Sequence, residues 1–297
     1  MSKNCFIFIV GLLCSTANLS AVYDFGSFEL GAGYRIDRLR WNIVPERHPQ
    51  VETENRWEDL RSVQVSAAAR YTNCYNFLFR GLADIGEIYH GTEKRIISIE
   101  DRDLIHARSK ANTGEVFDLS GGIGYTFHFL CDRSTISPIV GYSYHQQHVR
   151  MNQLLLTRND FDDRCPRDKH FRSIYHARWK GPFVGFELTF WMLCNIQLYG
   201  GAEYTWAHYR GTGRRHFRIE IVDQIKQHAE GRGEVFNLGI RYEITPNFML
   251  SVLGNYQAWR TWSGHERGRL FTRREDARLH VAHWHTWCVS GTAGWFY

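Results

Sequence analysis

The sequence lacks a long apolar run after its amino-terminal segment, whereas a membrane-spanning helix needs roughly 18 or more such residues. A helical membrane protein is therefore excluded. Proline is scarce, at 6 of 297 residues, and no Gly-X-Y period suggests collagen. Hydrophobic residues make up 43% of the chain and aromatic residues 15%, which is far too many for a disordered polyelectrolyte. A β-rich soluble protein and a transmembrane β-barrel remain.

Several sequence motifs of catalysis and ligand binding are also missing. The chain has no CxxC, no Gly-rich phosphate loop, no GxSxG and no HExxH. Lys and Arg number 36 against 31 Asp and Glu, with mixed signs in every basic stretch, so we expect no nucleic-acid partner. Strand alternation would place His280 on the opposite face from His283 and His285, so we expect no metal ion and no cofactor.

The amino terminus reads as a secretory signal peptide over residues 1–21. Lys3 supplies the positive start, Phe6–Cys14 the short apolar core, and Leu19-Ser20-Ala21 a small-residue cleavage site. No repeat, linker or low-complexity tract follows. We therefore expect residues 22–297 to form a single exported domain.

Past residue 22 the dominant signal is alternation of apolar and polar residues, which is typical of half-buried antiparallel strands. In the stretch 117–129, apolar side chains occupy one face, while Asp, Ser, Gly, Thr and His occupy the other. The polar faces carry few Lys or Glu, which favours the lumen of a narrow barrel over the surface of a soluble sandwich. Ten strands are predicted, within 23–42, 62–71, 77–89, 117–129, 136–148, 182–191, 196–206, 235–244, 248–258 and 285–297.

Short and long connections alternate strictly between these strands. The short ones are Thr72–Asn76, Leu130–Thr135, Leu193–Asn195 and Thr245–Asn247, and the long ones lie near 44–57, 90–115, 150–176, 208–233 and 262–280. Bacterial outer-membrane barrels have this asymmetry, with tight periplasmic turns and extended outer loops. The fold class is thus all-β, a ten-stranded antiparallel transmembrane barrel in the outer membrane. Its final aromatic residues suggest recognition by barrel-assembly machinery.

Local strings resemble those of the omptins, ten-stranded outer-membrane proteases. They are Tyr175-His-Ala-Arg-Trp-Lys-Gly-Pro-Phe-Val-Gly185, Glu115-Val-Phe-Asp-Leu119, Tyr242-Glu-Ile-Thr-Pro-Asn247 and Ser290-Gly-Thr-Ala-Gly294. A vaguer resemblance, in length and in Trp and Cys content, is to the protochlamydia-type outer-membrane proteins. Both resemblances imply an outer-membrane barrel.

The omptin resemblance implies an active site of two acids spaced Asp-x-Asp in the second long connection and an Asp-x-His pair in the fourth. Asp101 and Asp103 match the first half, and His216 matches the base. Arg214 stands where the family has its orienting aspartate, and a guanidinium can neither accept an imidazole N–H nor favour an imidazolium. We therefore expect proteolysis to be severely reduced or absent. Ordinary solvated charge is the alternative interpretation of these three residues.

The same resemblance implies a lipopolysaccharide site on the outer wall, with lipopolysaccharide as a structural lipid. Arg178 matches the arginine of the Tyr-x-x-Arg string, and its guanidinium suits a phosphate. Tyr144 and Gln146 replace the family's glutamate and arginine, so this chain has only part of the family's lipopolysaccharide site. An arginine that merely extends to water is the alternative.

Cysteines mark the short turns. Cys74, Cys131 and Cys194 each fall in one of them. Neighbouring turns in a barrel lie roughly 10 Å apart, which is too far for a disulfide, whereas bonds to a second protein are open. We expect these three thiols to cross-link the barrel to other envelope proteins, unless they are incidental reduced cysteines.

Two functions remain open on the sequence. The first is a non-enzymatic outer-membrane barrel with a structural, adhesive or narrow-pore role, since a ten-strand lumen should be largely filled by charge pairs. The lumenal charges are Arg70, Arg80, Asp84, Glu203, Arg241 and Glu243. The second is an omptin-like endopeptidase.

Overall fold

The computed structural model describes residues 25–100, 102–130, 133–159, 167–216, 222–270 and 273–297, and strands make up most of them. The predicted signal peptide lies outside these residues. None of the described residues forms a helix long and apolar enough to cross a bilayer. The strands are β1 (Phe25–Pro45), β2 (Val51–Thr72), β3 (Phe77–Ile99), β4 (Arg102–Tyr125), β5 (Phe127–Phe129), β6 (Ser134–Asn159), β7 (Arg167–Leu193), β8 (Ile196–His216), β9 (Val222–Thr245), β10 (Phe248–Thr261), β11 (Gly264–Leu270) and β12 (Arg273–Phe296).

The strands close into a ring of antiparallel neighbours, in the order β1-β2-β3-β4-β6-β7-β8-β9-β10-β12. The ring is sealed by β12 against β1, from Phe296 opposite Ser27 to Ala277 opposite Pro45. The short β5 continues β4 after Thr126 and pairs with β6. Likewise, β11 continues β10 and pairs with β9 and β12. Since each interrupted strand counts once, the predicted ten-stranded barrel is confirmed.

All four predicted short turns lie at one end of the barrel, at 73–76, 130–133, 194–195 and 246–247, although 131–132 lie outside the described residues. In the first turn, the side-chain Oδ1 of Asn73 accepts hydrogen bonds from the backbone N–H groups of Tyr75 and Phe77. Asn76 adopts a φ of 65°, a conformation that asparagine tolerates better than most residues. Local turn chemistry therefore sets this end of the barrel.

At the opposite end the structure differs from the extended loops that we expected. The strands run on through most of the long connections, so that Arg102 of β4 still pairs with Ile99 of β3. Register shifts occur where this extension begins, for example between Asp37 and Leu39 of β1. A β-bulge changes which side chains of the strand face outward, but hydrogen-bonded pairing with the neighbouring strand resumes after it. The barrel wall therefore extends beyond its apolar band, and charged residues form this extension.

Inward and outward faces alternate as predicted. Outward side chains of the band are apolar, and aromatic residues mark its border on the side of the long hairpins. We call this border the outer girdle; it comprises Tyr34, Phe117, Tyr144, Tyr204, Phe236, Tyr256 and Trp287. Gly181 lies near the border, where a Cβ would meet the backbone oxygen of Trp206 at 1.8 Å, so β7 and β8 approach as only glycine allows.

The core of the protein is the filling of the barrel itself. Its main cluster of buried apolar side chains lies on the long-hairpin side and is built largely from aromatic residues. A smaller cluster of Leu78, Ile139 and Phe183 lies nearer the short turns. Narrow barrels are packed by their own inward side chains, and the clusters here follow that rule.

Candidate functional site

A network of buried charges crosses the middle of the lumen. Arg35 Nε lies 3.0 Å from Asp37 Oδ2, and Arg35 Nη1 lies 2.5 Å from Asp118 Oδ2. Trp284 Nε1 donates a hydrogen bond of 2.8 Å to Asp37 Oδ1, and His145 Nδ1 lies 3.0 Å from Asp118 Oδ1. Arg35, Asp37 and Asp118 are each at most 1% exposed. The network joins β1, β4, β6 and β12 across the ring.

An aromatic layer lies against this network on the long-hairpin side. It consists of Trp41, Trp57, Trp179, Trp259, Trp284, Tyr175 and Tyr209. Rings of Trp57 and Tyr175 stack at 4.7 Å, those of Trp179 and Tyr209 lie 4.5 Å apart, and Trp259 lies 4.3 Å from His145 of the charge network. The five tryptophans are 0–1% exposed, so the layer fills the lumen at this level.

Hydrogen bonds fix the tyrosines of the aromatic layer. The hydroxyl groups of Tyr175 and Tyr209 contact each other, and each donates to Gln227 Oε1, at 2.5 and 2.9 Å. Gln227 Nε2 in turn donates to Glu266 Oε2 at 2.6 Å. These hydrogen bonds hold the two tyrosine rings in place within the layer.

Between the charge network and the short turns, ion pairs line a cavity. Arg80 lies 3.0 Å from Glu187 and 2.6 Å from Glu203, while Arg241 lies 2.5 Å from Glu29. Arg70 also lies 3.6 Å from Glu187, so the expectation that lumenal charges pair is confirmed for Arg70, Arg80, Glu203 and Arg241. The cavity holds about 1110 Å³ of empty space, open solvent included.

The predicted acidic pair of the omptin-like site is described only in part, since Asp101 lies outside the described residues. Asp103 is half-buried near the end of β4, where it accepts a hydrogen bond of 2.8 Å from Ser98 Oγ. His106 Nε2 lies 3.3 Å from Asp103 Oδ2. The structure thus gives Asp103 an imidazole neighbour that our sequence reasoning missed, although their spacing of three residues was visible.

The predicted base, His216, is the last residue of β8, where its backbone lies opposite Arg172 of β7 and Val222 of β9. In the ring, β6 and β7 separate β8 from β4, which carries Asp103. Arg214, at the position of the family's aspartate, is exposed. The catalytic assignment of Asp101, Asp103 and His216 stays a prediction.

Arg178 faces outward from β7, beyond the outer girdle. Its backbone lies opposite Gln146 on one side and Arg210 on the other. Gln146 accepts a hydrogen bond of 2.6 Å from the Tyr144 hydroxyl, so the two residues that replace the family's charged pair interact with each other. Arg178 and Arg210 form an outward basic row on β7 and β8, and lipopolysaccharide binding by Arg178 stays a prediction.

An outward pair of histidines lies next to this row. His148 and His176 are opposite each other on β6 and β7, with ring centroids 4.3 Å apart. Burial, together with His176 and Arg150, lowers the pKa of His148 to about 4. Burial and the Arg178 guanidinium lower the pKa of His176. The His148 imidazole is therefore neutral at pH 7.

Two of the three turn cysteines are described. Cys74 and Cys194 are exposed at the short-turn end, as their positions predict, and Cys131 lies outside the described residues. Cys288, by contrast, is buried and lines the lumenal cavity. Cross-linking through the turn cysteines stays a prediction.

The sequence and the fold are both similar to those of known outer-membrane proteins. The family model described as Pom, Protochlamydia outer membrane protein, matches residues 29–296. No curated protein matches the sequence.

Among solved structures, the outer membrane protease OmpT from Escherichia coli is similar, with a TM-score of 0.75 and 12% identity, over 94% of this chain and 99% of OmpT. At that identity the similarity shows the fold alone. The translocator domain of the autotransporter NalP from Neisseria meningitidis matches at 8% identity over 98% of this chain and 95% of its own, with a TM-score of 0.37. The Ail protein of Yersinia pestis matches at 9% sequence identity over 93% of this chain and 100% of Ail, with a TM-score of 0.33. These two similarities carry no argument.

Proposed function

The chain belongs to the Protochlamydia outer membrane protein family, and from that premise we propose that it is a non-enzymatic barrel with a closed lumen that serves the structure of the envelope. It is a β-barrel protein of the bacterial outer membrane. The short turns then face the periplasm and the long hairpins face outward.

The observation that carries the proposal is the aromatic layer. Five tryptophans from five different strands are 0–1% exposed and lie across the lumen. Directly beneath them, Arg35, Asp37 and Asp118 are buried and ion-paired. A hydrated ion crossing here would have to displace packed rings and break buried ion pairs, both at a cost of several kcal/mol. A diffusion pore is therefore disfavoured.

Conductance measurement tests the closed lumen. The refolded barrel is inserted into planar lipid bilayers, after its folded state has been verified by heat-dependent gel migration. We expect no stepwise currents. Regular steps of uniform size from the folded, unmodified protein would contradict the proposal and would support the narrow-pore role instead.

The second candidate is an omptin-like endopeptidase. The OmpT-like fold and the Asp103 carboxylate beside His106 favour it. Against it stands Arg214, which would raise the cost of protonating a nearby imidazole. Refolded protein with lipopolysaccharide and a dibasic fluorogenic peptide separates the candidates. We expect no cleavage, and cleavage that His216→Ala abolishes would establish the peptidase.

Two kinds of contact would tie the barrel into the envelope. Arg178 and Arg210 would hold phosphates of lipopolysaccharide, which has a structural role in this proposal. Cys74 and Cys194, both exposed on the periplasmic turns, would bond to cysteines of other envelope proteins. The aromatic ending at Trp295 and Tyr297 would be read by the assembly machinery during insertion.

A further inference from the structure

The lumenal cavity contains a buried carboxylate that no donor among the described residues satisfies. Asp84 of β3 lines the cavity and is 8% exposed. Its backbone lies directly opposite Asp118 of β4, so two inward carboxylates are neighbours on adjacent strands. Arg35 is ion-paired with Asp118, and His145 Nδ1 lies 3.0 Å from Asp118 Oδ1. Within the part of the chain that the structure describes, Asp84 has neither a hydrogen bond nor an ion pair.

A second unsatisfied acceptor lies beside the first. Gln64 of β2 lines the same cavity and is 6% exposed, and its buried side-chain Oε1 has no hydrogen-bond partner among the residues that the structure describes. Ser66 is opposite Asp84, and Gln64 is opposite Gly86, so Gln64 and Asp84 are diagonal neighbours on one face. Diagonal residues on paired strands lie roughly 7–8 Å apart. One ligand with donors on two sides can reach both oxygens.

The ionisable side chains around the cavity also carry an excess of negative charge. Among the residues that line it and their ion-pair partners, six carboxylates stand against four arginines. The carboxylates belong to Glu29, Asp37, Asp84, Asp118, Glu187 and Glu203, and the arginines are Arg35, Arg70, Arg80 and Arg241. A protonated His145 would still leave the carboxylates in excess. Six carboxylates against four arginines leave an excess of two, and because unpaired buried charges are costly, the ionised cavity is short of cations.

We propose that this cavity binds a small organic cation with several N–H donors, a primary ammonium or a guanidinium, which Asp84 and Gln64 Oε1 hold as acceptors. The cation reaches the site from the periplasm, because the cavity extends to Ser27 and Thr189 near the short turns, while the aromatic layer closes the other side. A bound ligand would thus be retained without passing through the barrel.

A metal ion fits the site less well. Calcium takes six to eight oxygen ligands, and magnesium demands a near-ideal octahedron. Across the described ranges, no group of three or more His, Cys, Asp or Glu side chains is arranged to hold a metal ion. The Asp84 carboxylate and the Gln64 amide oxygen are neighbouring acceptors, and no donor among the described residues bonds to either. Such a pair of acceptors matches instead a ligand that is rich in N–H groups.

Calorimetric titration of the refolded full-length barrel in detergent tests the proposal, with methylguanidinium chloride as the probe. Tetramethylammonium chloride is the ligand control, because it carries the charge but no N–H donor. We expect methylguanidinium to bind and Asp84→Asn to weaken it by roughly tenfold or more, the effect of losing a charge-assisted hydrogen bond. Glu87→Gln should leave it unchanged, since Glu87 faces outward on the same strand.

Gln64→Met provides a second variant, should Asp84→Asn not refold. It removes the acceptor while keeping the length of the side chain, and we expect weaker binding of methylguanidinium. Three results would overturn the proposal: no binding to the unmodified protein, equal binding of tetramethylammonium, or calcium binding in preference to both. Equal affinity of the unmodified protein and both lumenal variants would show that any binding lies elsewhere and would also overturn it.

Discussion

Arg35 is the residue whose removal should harm the folded barrel most. Its guanidinium is ion-paired with both Asp37 and Asp118, at N···O distances of 3.0 and 2.5 Å, and lies over the Trp284 ring, 5.4 Å from its centroid. Arg35→Met would keep much of the apolar volume and delete the charge. Two carboxylates, each at most 1% exposed, would then remain in the lumen beside that of Asp84.

The expected loss in the free energy of unfolding follows from this burial. Breaking a buried ion pair by removing one partner costs about 3–5 kcal/mol, because the other charge stays desolvated. Here one cation serves two buried acids, so the upper part of that range applies. The variant Arg35→Met/Asp118→Asn removes one of the stranded charges and should recover part of the loss.

Equilibrium unfolding in urea, followed by tryptophan fluorescence of the barrel in detergent micelles, measures these values. Arg61→Met is the matched control, because Arg61 pairs with Asp59 at 2.9 Å but both side chains are more than 40% exposed. Exposed pairs contribute about 0–1 kcal/mol. If Arg35→Met costs no more than Arg61→Met, the lumenal network does not stabilise the fold and our reasoning is refuted.

Three further predictions concern other parts of the barrel. Trp259→Ala should cost about 3–5 kcal/mol in urea unfolding, since this ring is 1% exposed within the aromatic layer; a cost below 1 kcal/mol would mean that the layer is loosely packed. His148 and His176 take up protons at ~6.5 when unfolded but at lower pH when folded, so stability should fall as the pH drops from there to about 4, and less steeply in His148→Gln in parallel urea titrations; equal slopes would contradict the assigned cause. Cys74→Ser with Cys194→Ser should reduce high-mass bands in non-reducing gels of intact envelopes, and a lone monomer band from the unmodified protein would disprove the cross-links.

The sequence by itself determined the strands, the two faces and the short turns. Alternation with a period of two fixes which side chains face the same way, so the outward apolar band could be read directly from residues such as Leu119 and Ile123. The short turns followed from the places where the alternation stops, such as Thr72–Asn76, and the structure adds the positive φ of Asn76 there. Extension of the strands into the long connections was missed, because charged residues beyond the outer girdle weaken the contrast between the faces.

Only the tertiary structure decided what fills the lumen. The five tryptophans of the aromatic layer come from β1, β2, β7, β10 and β12, and they meet because the ring closes in one particular register. Asp84 and Asp118 look alike in the sequence, as inward acids of neighbouring strands. Arg35 nevertheless reaches Asp118 from across the ring, while no ion pair to Asp84 is found in the described part of the chain. Periodicity gives the direction of a side chain, whereas its neighbours across a closed barrel depend on how every strand is staggered.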